Sequence, residues 1–160
     1  MHSFLKTLLV GTVLAIGGMA VASAASATDP IIGTWKLDVA KSKFSPGPAP
    51  KSHTRTYAAT ADGIDLSFDT VAADGSVSNG KSSFKDDGKD YPITGSKDFD
   101  TVSLKRIDAS TVESTQKKAG KTVGTTLRSI SKDGKVMTLK VKGTDAQGKA
   151  YNNVMVFEKQ

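Results

Sequence analysis

The chain reads as an all-β domain, an antiparallel up-and-down β-barrel of about eight to ten strands, and three observations carry that reading. Turn dipeptides such as Asp62-Gly63, Asp74-Gly75 and Asp87-Gly88 recur 12 or 13 residues apart. Between them apolar and polar residues alternate with the two-residue period of a half-buried strand. No stretch after residue 27 sustains a helical period.

Residues 1–27 stand outside this pattern. Met1 to Lys6 is short and positively charged, Leu8 to Val21 is apolar, and Ala22-Ser23-Ala24 and Ala25-Ser26-Ala27 place small residues where a signal peptidase needs them. A signal peptide cleaved after Ala24 or Ala27 is expected, with a periplasmic or secreted destination. Residues 28–160, about 133 residues, then form a single domain. No later apolar run approaches the length needed to cross a bilayer, about 20 residues.

The first strand candidate, residues 31–39, contains the chain's single Trp within "IIGTWKL". Gly33, Trp35, Leu37 and Val39 share the face expected to point inward, and Thr34, Lys36 and Asp38 share the other. Residues 41–50 follow, where Pro46, Pro48 and Pro50 alternate and so favour a stiff, extended connection that excludes a helix. Phe44 in this loop either folds over a barrel mouth as a lid or packs on the outside. Nine further strand candidates cover residues 51–60, 63–72, 76–85, 88–94, 100–107, 111–118, 121–131, 134–142 and 150–159.

Within them Ile64, Leu66 and Phe68 alternate with Asp65, Ser67 and Asp69. Val102, Leu104 and Arg106 alternate with Thr101, Ser103 and Lys105, and Met137, Leu139 and Val141 with Thr138, Lys140 and Lys142. The Asp-Gly pairs suit two-residue hairpin turns, whose central residues both need positive φ. A meander with one apolar face must roll up or stack to hide that face and its edges. Hairpin-by-hairpin connection favours the closed barrel over a sandwich of two sheets.

Gly33-Thr34-Trp35 on the first strand, the meander behind it and the last strand ending Val156-Phe157-Glu158-Lys159 together resemble the lipocalin and calycin superfamily. The chain looks most like short bacterial lipocalin-like proteins. That resemblance implies that Gly33 permits close backbone approach at the closed end and that Trp35 plugs it. It also implies an Arg from a late strand packed across the Trp, for which Arg128 is the counterpart by position. "IIGTWKL" is similar, too, to the first strand of the intracellular fatty-acid-binding branch. That branch inserts two helices after its first strand and grips a carboxylate with Arg-x-Tyr on its last. Here the proline loop leaves no room for the helices, and Met155 and Phe157 occupy the gripping positions.

Composition narrows the chemistry. The chain has no Cys, which excludes thiol nucleophiles, thiolate metal sites and disulfides. Its net charge of +6 rests on 19 Lys against three Arg, with the Lys dispersed among Asp residues. Such a pattern describes a solvated outer face that blunts edge pairing, so no nucleic-acid partner is expected. Most carboxylates sit in turns, where Asp bonds nearby backbone, and none has the spacing of a calcium loop. No metal and no cofactor are expected.

His53 is the one histidine after the signal segment. It shares a strand face with Arg55 and Tyr57, either as part of a polar pocket lining or, more simply, as a strand-surface residue. The chain has no G-x-S-x-G elbow, and a non-enzymatic role is expected. The leading expectation is a monomeric binding protein that holds a small, largely apolar ligand. Its wall would comprise Phe68, Leu104, Leu127, Met137, Leu139, Met155 and Phe157, with Arg55, Tyr57 or Arg106 as polar anchor. A second expectation is a solid barrel that works through its surface as an envelope interaction or inhibitor module. A third is an isomerase or hydrolase with His53 or an interior carboxylate deep in a pocket.

Overall fold

Period-two alternation produces ten strands in the computed structural model, which describes residues 29–160. The expected signal peptide lies outside the described residues. The strands are β1 (Gly33–Lys43), β2 (Ser52–Ala59), β3 (Ile64–Val71), β4 (Val77–Phe84), β5 (Asp87–Pro92), β6 (Thr101–Arg106), β7 (Thr111–Lys118), β8 (Lys121–Ile130), β9 (Val136–Thr144) and β10 (Ala150–Lys159). They form one sheet in the order β4-β3-β2-β1-β10-β9-β8-β7-β6-β5, every paired neighbour antiparallel.

β10 joins the first strand to the ninth and so curls the meander into a nearly closed barrel. The two edges, β4 and β5, meet at a seam that is not a full ladder. Across it Thr94 N–H donates to Lys81 O at 3.0 Å and the Ser82 hydroxyl donates to Pro92 O at 2.8 Å. Backbones approach so closely here that a Cβ on Gly80 would stand 2.0 Å from Thr94 O, and one on Gly95 2.1 Å from Asn79 O.

The turns differ from the expected two-residue type. Only Ala119-Gly120 has positive φ at both residues, 48° and 78°. In the turns at 72–76, 131–136 and 145–149 the glycine alone adopts positive φ, and its N–H donates to a carbonyl three residues back. The Asp beside each glycine, or at the head of the turn, accepts backbone N–H groups on its carboxylate, as Asp74 does from Ser76 at 2.8 Å and Asp145 from Lys149 at 2.8 Å. Asp87-Gly88 is not a turn at all. It lies in β5 where the register against β6 shifts, so it forms a bulge.

β1 is longer than its periodicity suggests and runs to Lys43, into the first part of the proline segment. Its register against β10 slips between Asp38 and Lys43, with Ser42 Oγ donating to Asp38 O at 2.6 Å and accepting from Val156 N–H at 2.9 Å. The slip breaks the alternation, so Val39, expected inside, is exposed. Phe44 packs against the core's margin beside Tyr151 and Asn153 and does not line the main cavity.

At one end of the barrel the core is dry. Ile31, Trp35, Met137 and Phe157 have no exposed surface there, and the Trp35 indole N–H donates to Ile31 O at 2.7 Å. The cation over the Trp35 ring is Lys159, with Nζ 5.1 Å from the centroid and donating to Pro30 O at 3.1 Å. Arg128, assigned that place by resemblance, lies elsewhere. Gly33 serves the same contact, because a Cβ there would meet Lys159 Cε at 2.8 Å. Its small size admits a lysine stem rather than a neighbouring backbone.

Candidate functional site

Above this floor the interior is hollow. A cavity of about 570 Å³ occupies the open half of the barrel. Inward positions on the strands line it: Leu66 and Phe68 from β3, Phe84 from β4, Val102 and Leu104 from β6, Leu139 and Val141 from β9, and Met155 from β10. The rim is made by Ser76, Val77 and Ser78, the β5–β6 loop from Gly95 to Phe99, and Ala146 and Gln147 of the last turn. Ala146 N–H donates to the Asp98 carboxylate at 3.0 Å, which ties two of these rim segments together.

The polar lining comes from two opposed strand pairs. From β2 come His53, Arg55 and Tyr57, spaced by two so that all face inward, and Thr70 joins them from β3. From β7 and β8 come Ser114, Gln116, Thr126 and Arg128. Tyr57 is the hub: its hydroxyl accepts from Arg55 Nε at 2.8 Å, and the guanidinium carbons of Arg55 and Arg128 stand 5.5 Å and 5.8 Å from its ring centroid. Arg55 also lies 5.9 Å from the Phe68 ring, so aromatic faces carry part of its charge.

The guanidiniums are unequally partnered. Arg106 binds the carboxylates of Asp29 and Asp86, and Arg128 stands 3.9 Å from the same Asp86 oxygen. Among the described residues Arg55 has no carboxylate within ion-pair distance. Arg128 is only 6% exposed, and a buried cation is stable only when neighbouring groups balance it.

His53 is a correction to the strand-surface reading, since it is 8% exposed and lines the cavity. Its ring stacks on Phe68 and meets Phe157 edge-on, and Nδ1 lies 2.8 Å from the Thr70 hydroxyl. Burial, with a smaller push from the Arg55 charge, lowers its pKa to about 3. The imidazole is therefore neutral near pH 7. Gln116 donates to Thr126 Oγ1 at 2.8 Å, while its own Oε1, His53 Nε2 and Asp86 Oδ1 are buried without partners.

Of the ten residues expected to hold a ligand, Arg55, Tyr57, Phe68, Leu104, Leu139 and Met155 line the cavity. Met137 and Phe157 face inward but belong to the dry floor beneath it. Arg106 also continues the inward register, yet it sits at the last position of β6, where Asp29 and Asp86 engage it at the closed end. Leu127 lies on the outer face, 40% exposed, because Thr126 and Arg128 on either side point in. Period two forbids Leu127 and Arg128 from sharing a face. Gln116, Thr126 and Thr70 were missed; each is a polar residue in an inward register, a pattern visible in Val112-Ser114-Gln116.

The acidic run at 86–100 holds no cation cluster. Asp86 faces arginines, Asp87 accepts from Tyr91 and backbone, Asp90 pairs with Lys117 at 2.8 Å, and Asp100 accepts from Ala119 N–H. Among the described residues no group of three or more His, Asp or Glu converges, and no helix is long and apolar enough to cross a membrane.

No protein-family model matches the chain, and no curated protein matches it. Among solved structures it is similar to the zebrafish ileal bile-acid-binding protein complexed with cholic acid, with a TM-score of 0.45 and 13% sequence identity, over 82% of this chain and 99% of that one.

Proposed function

We propose that this protein is an exported, lipocalin-like binding protein that holds a small, largely apolar molecule inside its barrel. The observation that carries the reading is the cavity of about 570 Å³, whose wall is mostly apolar and whose polar groups converge on Tyr57. Small-molecule sites have this form, with volumes of about 300–1,000 Å³ and a few oriented polar groups. Arg55 and Tyr57 are the polar anchor in this reading, and Arg106, engaged by two carboxylates, is not.

A catalytic role fits less well although His53 lines the cavity. A general base works best with a pKa near the operating pH, whereas burial holds this imidazole near 3, and no carboxylate orients it. The reading takes residues 1–27 as the signal peptide and the periplasm or the exterior as the place of action.

Filling the cavity tests it. Met155→Trp replaces a flexible thioether on the cavity wall with a bulky ring that projects into the void. The variant should fold as before and bind a neutral apolar dye at least about tenfold more weakly, a loss of about 1.4 kcal/mol. Dye titration with circular dichroism of the same samples reads both quantities. Unchanged dye binding in a folded Met155→Trp protein would sink the carrier reading.

A further inference from the structure

One row of the barrel, followed across five strands, brings the polar ends of Gln116 and Tyr151 together. In register it runs Val102, Gln116, Gly124, Gly143 and Tyr151, from β6 to β10. The two glycines leave its centre bare, and the side chains on either side reach over it. A Cβ on Gly124 would stand 3.1 Å from Gln116 Oε1 and 3.3 Å from the Tyr151 hydroxyl oxygen. One on Gly143 would stand 2.8 Å from that hydroxyl, so glycine is what lets the tyrosine cross β9. Gln116 and Tyr151 both line the cavity, and β10 begins just past the rim turn of Ala146 and Gln147, which places the pair on the mouth side.

No hydrogen bond joins the two. Gln116 is 6% exposed, its amide nitrogen donates to Thr126, and its Oε1 is buried without a partner. An acceptor shut away from water in this state costs stability until a donor reaches it. Burial, and then the charges of Asp98 and Asp145, raise the pKa of the Tyr151 phenol, so it keeps its proton and remains a donor.

We propose that Gln116 and Tyr151 form a hydroxyl-binding subsite near the mouth, and that the ligand carries a neutral alcohol there at the outer end of its apolar body. This deepens the carrier reading and rests on it. Two polar atoms that lie so near one point are within reach of a single bridging oxygen. A hydroxyl donates its proton to Oε1 and accepts the phenol proton on the same atom. A carboxylate would bring Oε1 no proton and would meet the charges of Asp98 and Asp145. An ether would accept from Tyr151 and leave Oε1 as it is. The body of the alcohol then lies inward, over Leu139 and Met155.

Dodecan-1-ol and methyl undecyl ether are isomers, and only the alcohol has a proton to give. Donors in the cavity, Arg55 included, can bond either oxygen, so the ratio of the two affinities reports an acceptor in the wall. Displacement of a bound neutral dye from the full chain measures it. The wild-type protein should bind the alcohol at least about fivefold tighter than the ether, the net value of one hydrogen bond. In Gln116→Leu the preference should vanish or reverse, since the ether is the less hydrated isomer. Tyr151→Phe should weaken both isomers and leave their ratio unchanged, because Tyr151 donates to either oxygen. His53→Phe, which removes the other unpartnered ring nitrogen on the wall, should also leave the ratio unchanged.

Equal affinity of the isomers for the wild-type protein, or a tighter ether, means that the subsite holds water only and overturns the assignment, while a carrier of apolar molecules stays in place. A preference for the alcohol that survives Gln116→Leu overturns the role of Gln116. If neither isomer displaces the dye, the carrier reading itself falls and this assignment with it. Ether binding by each variant reports its fold, and the wild-type ratio decides whether the wall accepts a proton even if a variant misfolds.

Discussion

Trp35, Ile31, Met137 and Phe157 fill the barrel floor with no exposed surface, whereas His53 and Arg55 of β2, Gln116 of β7 and Arg128 of β8 surround an open volume. The alternation that builds both regions is the same. What differs is how their polar groups are satisfied. On the floor the one polar atom of Trp35 has its partner within four residues, Ile31 O. Along the cavity His53 Nε2 and Gln116 Oε1 have none. Buried groups left unpaired cost stability, so the floor supplies cohesion and the cavity draws on it. Regions that break the rule of paired polar groups are where function is expected.

The largest test of that contrast is Trp35→Ala. Emptying the floor should destabilise the domain by about 3–5 kcal/mol, read from urea unfolding. A loss below about 1 kcal/mol would mean that the floor is not the source of stability.

His53 supplies the next effect, and its sign follows from linkage. The unfolded chain takes up a proton near pH 6.5, but the folded one refuses it until about 3, so stability falls as pH drops through that window. Between pH 7 and pH 5 the loss should be about 2 kcal/mol. The carboxylates that hydrogen bonds shift, such as Asp38, Asp74 and Asp133, move downward, away from that range, and no other histidine is present after residue 27. His53→Phe should therefore flatten the slope between pH 7 and pH 5 while retaining the stack on Phe68. An unchanged slope would show that the imidazole is hydrated and not part of a dry wall.

Lys159→Met should have the smallest effect. It keeps the stem that Gly33 accommodates and removes the charge over Trp35, for an expected loss of about 0.5–1 kcal/mol. A thermal melt read by Trp35 fluorescence suffices to measure it. A loss comparable with that of Trp35→Ala would mean that the lysine, and not packing, holds the floor.

The ten strands were legible because Asp-Gly and Gly turns mark their ends and single residues declare their face. Nine of the ten candidate spans match the observed strands within two residues at each end. β1 departs because its bulge is made by the Ser42 side chain, a contact with β10 that no local pattern reveals. The same limit applies to the site. Arg106 and Arg128 both carry an inward register and share Asp86, and only the approach of Asp29 to Arg106 separates one at the closed end from one on the cavity wall. Leu127 cannot share the wall with an inward Arg128, since period two puts neighbouring residues on opposite faces. The sequence leaves His53 open between pocket lining and strand surface, because nothing near it in sequence shows that Phe68 and Phe157 cover it.

The sheet order also constrains when the fold can exist. β1 to β4 form one meander and β5 to β9 another, and only β10 pairs with both, through β1 on one side and β9 on the other. The remaining link is the sparse seam between β4 and β5. A chain emerging from a ribosome therefore carries two unjoined half-sheets until residues 150–159 are free. The keystone arrives last, and until that one strand pairs the two halves of the barrel stay apart.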